Sequence, residues 1–127
     1  MGKIGVTRYL TILDSDQAVL FDLDPDLLVV IDKAGNIVRV NRAFEDVVGY
    51  TRYQICGIGV GLSRFIVMED IIRFIRSFDH PGENQANMFR FSRHGGGETV
   101  CCLIKWQCRR GRSYLVFRPQ RIHDTRA

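Results

Sequence analysis

The stretch IDKAGNIVRVNRAFEDVVGY, residues 31–50, decides the fold because it holds a turn, a strand and a helix in immediate succession. Residues 27–32, LLVVID, form a continuous apolar run typical of a buried strand, and residues 37–41, IVRVN, form a second strand. Only KAGN separates them, and Gly35 can adopt the positive φ that a tight turn needs. The stretch therefore predicts an antiparallel hairpin.

Asn41 and Gly49 are predicted to delimit the helix that follows this hairpin. An Asn after a strand can accept a hydrogen bond from a backbone N–H of the first helical turn, which makes Asn41 a candidate N-cap. Gly49 can end the helix in the left-handed conformation, and Phe44 gives the helix an apolar side. Nothing in this stretch requires catalysis, so both residues are assigned structural roles.

The remaining chain predicts more helices and then three strands. Thr51 and Gln54 form a capping box that opens a short helix ending at Gly57. The segment MEDIIRFIRSF, residues 68–78, repeats apolar residues at helical spacing and has acidic residues in its first turn. Glycine-containing turns then separate three strand-like segments, which are NMFRFSRH, TVCCLIKWQC and SYLVFR.

This order predicts an α+β domain with a five-stranded antiparallel sheet and short helices packed on one face. In the fourth strand, unbroken alternation would put one set of side chains on a single face, namely Val100, Cys102, Ile104, Trp106 and Cys108.

Length and composition restrict the class of protein. The 127 residues, 46% hydrophobic and 25% charged, suit one globular domain. No apolar run is long enough to span a bilayer, and residues 1–16 lack a signal-peptide core. The four cysteines lack metal-site spacing, so free thiols in a reducing compartment are expected. A bacterial-type cytoplasmic setting is the resulting prediction.

The order of elements, taken with the opening stretch, resembles the PAS domain superfamily of sensory and interaction modules, over about residues 15–120. The superfamily pattern is an acidic residue, a turn glycine, an Ile, Val-Asn, an aromatic-Glu pair and Gly-Tyr. The chain matches it with Asp32, Gly35, Ile37, Val40-Asn41, Phe44-Glu45 and Gly49-Tyr50.

The resemblance implies a sheet with strand order 2-1-5-4-3 that cups a small hydrophobic cavity against the helices. It also implies a non-enzymatic regulatory function, in signal transduction or transcription regulation, through a small hydrophobic ligand or a protein partner. Such domains commonly form homodimers, and residues 14–23 are predicted to be an amphipathic helix suited to that role, with Val19, Leu20 and Leu23 on one side.

Candidate ligand-binding residues are the large apolar groups expected between helices and sheet. The alternative is that they form an ordinary core, as they would in any fold. They are Phe44, Phe65, Phe74, Ile75, Ile104 and Trp106.

No cofactor is identified. In light-oxygen-voltage domains a reactive Cys lies three residues after the glycine that ends the short helix, and here that position is Val60, which argues against a flavin adduct. The haem-binding relatives use a His on the long helix, which carries none here, so His80 after it is a weak haem-ligand candidate. The glycines of GIGVG, residues 57–61, lack the spacing of a phosphate-binding loop.

The predicted organisation is an N-terminal arm over residues 1–13, a PAS domain over 14–120 and a tail over 121–127. Many PAS domains end in an Asp-x-Thr element leading to an effector domain, whereas here Asp124 and Thr125 are adjacent. An effector domain beyond this sequence and action in trans on another protein therefore both stay open.

A second function class comes from charge. Residues 105–127 carry seven basic side chains against one acidic one, within a net charge of +4. The alternative hypothesis is accordingly a nucleic-acid-associated regulator using Arg109, Arg110, Arg112 and Arg118. The absence of aromatic residues expected to be exposed among these arginines counts against it. An enzyme is the least supported class, because no catalytic triad, carboxylate pair or metal spacing is present.

Overall fold

The computed structural model describes residues 15–57, 59–79 and 87–120. The predicted arm, Asp14, the tail and the haem-ligand candidate His80 lie outside these described residues. In chain order the elements are α1 (15–23), β1 (Leu27–Ile31), β2 (Ile37–Val40), α2 (Arg42–Val48), α3 (Arg52–Ile55), a single 3₁₀ turn (Leu62–Arg64), α4 (Met68–Asp79), β3 (Met88–Ser92), β4 (Glu98–Arg109) and β5 (Arg112–Pro119). None of the helices in the described ranges is long and apolar enough to cross a membrane.

The five strands form one antiparallel sheet with the order β2-β1-β5-β4-β3. The predicted fold class and strand order are therefore confirmed. One face of the sheet carries the core: Leu27 lies opposite Phe117 and Val29 opposite Leu115, and all four side chains are buried. We call this the inner face and the opposite one the outer face.

The segment between α3 and α4 covers both edges of the sheet. On the β2 side, the Ile37 N–H donates to the carbonyl of Val60 at 2.8 Å. On the β3 side, the Ser92 N–H donates to the backbone carbonyl of Phe65 at 2.8 Å, and the Val67 N–H donates to the backbone carbonyl of Arg90 at 2.9 Å. Gly57, Val60 and Gly61 thus cover the β2 edge within the fold. Edge strands that are paired in this way present fewer free backbone groups to other chains.

A β-bulge in β4 corrects the predicted faces of that strand. The register with β5 shifts between Leu103 and Lys105, so Ile104 is an extra residue. Before the bulge the inner face carries Cys101 and Leu103, and after it Trp106, which lies opposite the buried Leu115. The predicted common face of Val100, Cys102, Ile104, Trp106 and Cys108 is therefore wrong, because one inserted residue reverses the alternation.

The core between the inner face and the helices is built around phenylalanine rings in edge-to-face contact. Phe44 of α2 contacts Phe65 and Phe91, with ring centroids 5.8 and 6.0 Å apart. Phe91 in turn contacts Phe117 of β5 at 5.1 Å. Such edge-to-face pairs each add about 0.5–1.5 kcal/mol beyond the burial of apolar area.

Candidate functional site

The side-chain oxygen of Asn41 connects α2 to the first strand. Asn41 is fully buried and occupies the N-cap of α2, where its Oδ1 accepts the Phe44 N–H at 3.2 Å. The same oxygen accepts the Leu28 N–H at 3.0 Å. One atom therefore holds the start of α2 against the start of β1.

The side-chain nitrogen of Asn41 extends this connection to α1. Its Nδ2 donates to the carbonyls of Phe21 and Asp26 at 3.0 and 2.8 Å, and more weakly to that of Asp24 at 3.3 Å. Phe21 lies in the last turn of α1, so a single buried amide joins α1, β1 and α2. Buried polar groups must be hydrogen-bonded to be tolerated, which makes this geometry specific to Asn.

Ion pairs add a second connection between α1 and the short helices. Asp22 of α1 accepts the Arg42 N–H at 3.2 Å and pairs with Arg52 Nη2 at 2.9 Å. Arg52 also donates its Nε, its Nη2 and its backbone N–H to Glu45. Burial alone would raise the pKa of Glu45, but these bonds from Arg52 hold that pKa below its ordinary value.

The apolar side of α1 faces away from its own domain. Val19, Leu20 and Leu23 are 57%, 64% and 71% exposed. Phe21, in contrast, is half-buried, and the guanidinium carbon of Arg39 lies 4.4 Å from its ring centroid. One side of α1 thus contacts the domain, and its apolar side is left exposed.

The structure separates the six candidate ligand-binding residues. Phe44, Phe65 and Phe74 are buried together between the helices and the inner face, and Trp106 is partly buried against the same core. Ile75 and Ile104 are 53% and 37% exposed and do not belong to this interior. Ile75 lies beyond the buried stripe of α4, and Ile104 is the bulge residue. The prediction that these two residues line the cavity is wrong.

A buried carboxylate fixes α4 to the edge of the sheet. Asp70, 6% exposed, accepts the backbone N–H, Nε and Nη2 of Arg90 at 2.8, 3.1 and 3.1 Å. The hydrogen bonds from Arg90 hold the pKa of Asp70 below its ordinary value. Sequence patterns could not have found this pair, because the partners are 20 residues apart on different elements.

A polar cleft of about 570 Å³ lies at the end of α2. Gly49 ends α2 with φ 75°, and next to it the Tyr50 hydroxyl lies 3.0 Å from His94 Nδ1. The cleft is lined by Arg42, Glu45, Asp46, Gly49, Tyr50, Thr51 and Arg93. Charges of both signs surround it, so it does not match the apolar ligand that the resemblance implies.

The described residues contain no cluster of three or more side chains of the metal-ligating types. The four cysteines are free thiols, and burial raises the pKa of Cys101 to about 12. A thiol with that pKa is almost entirely protonated near neutral pH and is a poor nucleophile.

The four arginines of the nucleic-acid hypothesis do not form one group. Arg109, Arg110 and Arg112 lie at the β4–β5 turn, whereas Arg118 is at the other end of β5, roughly 20 Å away along the strand. Arg118 makes a two-bond ion pair with Asp26, at 3.1 Å for each bond. The predicted set is therefore wrong in including Arg118.

Comparisons with known proteins agree with this geometry. The family model for the PAS domain matches residues 17–91. No curated protein sequence matches the chain. Among solved structures, the PAS domain of an HTR-like protein from Haloarcula marismortui has a TM-score of 0.70 at 22% identity, covering 93% of this chain and 100% of that one.

Two further solved structures share the fold. A domain of a sensory box sensor histidine kinase/response regulator from Geobacter sulfurreducens has a TM-score of 0.64 at 18% identity, covering 86% of this chain and 96% of that one. The PAS domain of a Colwellia psychrerythraea protein has a TM-score of 0.61 at 23% identity, covering 87% and 97%. With the family model matching more than half of its residues, this chain belongs to the PAS domain family of sensory modules.

Proposed function

We propose that this PAS domain is a non-enzymatic regulatory module that converts a change in its phenylalanine-lined interior into a change in the position of α1. The change would come from a small apolar ligand or from a protein partner. The observation that carries the proposal is the Asn41 amide, which touches α2 through Phe44 and α1 through Phe21. A shift of α2 must alter at least one of these bonds.

The mechanism is a shift between two packings of the same elements. Phe44 lies in the first turn of α2 with its ring in the core, so a ligand that displaces this ring also displaces the N-cap. Asp22 is held by Arg42 and Arg52, which begin α2 and α3. The interior and α1 therefore share the same short helices, and a ligand can act only through a difference in affinity for the two packings.

The readout we propose is association with a second copy of the chain. Val19, Leu20 and Leu23 give α1 an exposed apolar side, and two such sides can cover each other about a two-fold axis. The free thiols fit a reducing setting such as the cytoplasm, with output to signal transduction or transcription regulation. The effector would be a domain outside this sequence or a protein acted on in trans.

Hydrogen exchange tests the coupling between the interior and α1. The Phe44→Leu substitution should raise amide exchange in residues 15–23, and benzene, a probe that fills small apolar voids, should partly reverse the rise. Phe89→Leu is the matched control, because Phe89 is equally buried but lies on β3. An equal rise in both variants, or none in either, rules out the coupling.

Analytical ultracentrifugation tests the readout separately. Leu20→Glu should shift the chain towards monomer, whereas Ile72→Glu, which changes an equally exposed apolar residue on α4, should not. A wild-type chain that stays monomeric at high concentration excludes the homodimer and leaves the coupling to be decided by exchange. Native mass spectrometry of the purified protein would detect a retained ligand.

A further inference from the structure

The outer face of the β4–β5 hairpin alternates cations with polar and aromatic side chains. Because directly opposed residues share a face, Arg109 and Arg112 form one outer-face pair. The next pair on the same face is Gln107 and Tyr114, followed by Lys105 opposite Val116. Tyr114 is 42% exposed, so an aromatic ring does lie among the basic side chains, contrary to the expectation from sequence.

The hairpin retains residues that cost it stability. Arg109 and Arg112 are like charges directly across the ladder, an arrangement that is destabilising on its own. Arg110 at the turn has φ 53°, a left-handed conformation that Asn or Gly adopts with less strain, and Gly111 follows with φ 77°. Because these residues lower the stability of the hairpin, we infer that the positive charge at the turn serves a function other than stability.

Lys33 of the β1–β2 turn adds to this charge. A Cβ built on Gly111 would clash with Cε of Lys33, so the lysine side chain runs along the hairpin turn. The ion pairs found within residues 15–57, 59–79 and 87–120 involve other cations, which are Arg52, Arg73, Arg90 and Arg118. The positive charge at this end of the sheet is thus available to a partner.

We propose that this surface binds a single-stranded nucleic acid, a function beyond the sensory one. We define the basic ribbon as the exposed residues Lys33, Lys105, Gln107, Arg109, Arg110, Arg112 and Tyr114.

Each part of the basic ribbon has a role in this binding. The guanidinium groups of Arg109 and Arg112 suit two-bond contacts to phosphate, and the Tyr114 ring can stack on an unpaired base. Arg112 and Tyr114 are two residues apart on one strand, about 7 Å, so one nucleotide can contact both. The Gln107 amide, opposite Tyr114, can hydrogen-bond to a base edge.

The strongest alternative is that the charges merely keep a free strand edge from pairing with other chains. Within residues 87–120, the pairing of β3 with β4 extends as far as Leu103, whose N–H donates to the Asn87 carbonyl at 2.8 Å, and the edges of sheets are commonly protected by Lys and Arg. That explanation covers Lys105 and Arg109. It does not account for an Arg in a left-handed conformation or for an exposed Tyr between cations.

Fluorescence anisotropy of the full chain with labelled RNA and DNA strands of about 20 nucleotides tests the proposal, across about 50–200 mM KCl. The double variant Arg109→Gln with Arg112→Gln should weaken binding about tenfold or more. It should also reduce the steepness with which the logarithm of the binding constant falls with the logarithm of the KCl concentration. The expected reduction in slope is roughly 1.4, because each of the two lost phosphate contacts contributes about 0.7. Tyr114→Leu should weaken binding about tenfold with the salt slope unchanged.

The control is Arg64→Gln with Arg76→Gln, which removes the same charge from exposed positions in the helical layer and should leave binding unchanged. Circular dichroism confirms that each variant is folded. No binding at low salt overturns the proposal. So does a control variant that loses as much affinity, a Tyr114→Leu variant that loses none, or equal binding of duplex or of a polyglutamate peptide. The relative affinity of the RNA and DNA strands then identifies the preferred sugar.

Discussion

The side-chain amide of Asn41 donates a hydrogen bond to the backbone carbonyl of Phe21, 20 residues earlier in the chain, at 3.0 Å. The bond joins the N-cap of one helix to the last turn of another. Asn is suited to this position because it offers an acceptor to the N–H groups of α2 and β1 and a donor to the carbonyls of α1 and of the connection between α1 and β1.

Replacing Asn41 should therefore destabilise the domain. Asn41→Ala should lower the free energy of unfolding by about 2–4 kcal/mol, because two N–H groups and three carbonyls lose a buried partner. Chemical denaturation followed by circular dichroism measures this value. A loss below about 1 kcal/mol would mean that water replaces the amide without cost.

Asn41→Asp should be destabilising in a pH-dependent way. The new carboxylate would be buried facing three carbonyl oxygens, which raises its folded pKa above the unfolded value of about 4. A raised folded pKa means that stability is greatest at low pH and is lost as pH rises through it. The stability of Asn41→Asp relative to Asn41→Ala should thus improve as pH falls from about 7 to 4, and a constant difference would contradict this.

The Asp70–Arg90 contact predicts acid sensitivity of the opposite sign. Arg90 holds the pKa of Asp70 in the folded state below its value in the unfolded state. The contribution of the Asp70 carboxylate to the free energy of unfolding is therefore present above about pH 4 and is lost as pH falls through the folded pKa. Asp70→Asn should lower the free energy of unfolding by about 2–3 kcal/mol near neutral pH. The difference in unfolding free energy between the variant and the wild type should become smaller in acid.

Glu69→Gln is the matched control for Asp70→Asn. Glu69 is the preceding residue of α4, its side chain is 74% exposed, and it lies 4.0 Å from Arg90. It should change stability by less than about 0.5 kcal/mol. Similar pH profiles for the two variants would show that the buried pair is not responsible for the acid sensitivity.

Two adjacent residues of α4 test which apolar groups form the interior. Phe74 is 6% exposed and Ile75 is 53% exposed. Phe74→Ala should cost about 3–5 kcal/mol of unfolding free energy, whereas Ile75→Ala should cost less than about 1 kcal/mol. Thermal and chemical denaturation measure both, and comparable losses would place Ile75 in the core after all.

The helices and strands, and their order along the chain, could be predicted from the sequence because patterns of a few neighbouring residues determine them. The KAGN turn, the Asn41 and Gly49 caps and the alternating strands each act over a few residues, and the resemblance supplied the strand order. The face of Trp106 could not be predicted, because the bulge at Ile104 depends on pairing with β5. Alternation alone cannot reveal an inserted residue.

The contacts of the candidate site were harder to predict for a different reason. Asp22 pairs with Arg52 across 30 residues, and Asp70 pairs with Arg90 across 20. Their positions in helical patterns looked like ordinary surface charge. Likewise, Ile75 satisfies the apolar spacing of α4 but extends that stripe beyond the part that the core covers.

The connector between α3 and α4 closes both margins of the sheet, with Val60 bonded to β2 and Phe65 to β3. Two distant strands thus depend on one short piece of chain for their protection. Cleavage or shortening of this connector would expose the free backbone groups of both edge strands simultaneously. Each molecule could then pair edge to edge with one neighbour on each side, and such pairing would extend into fibres.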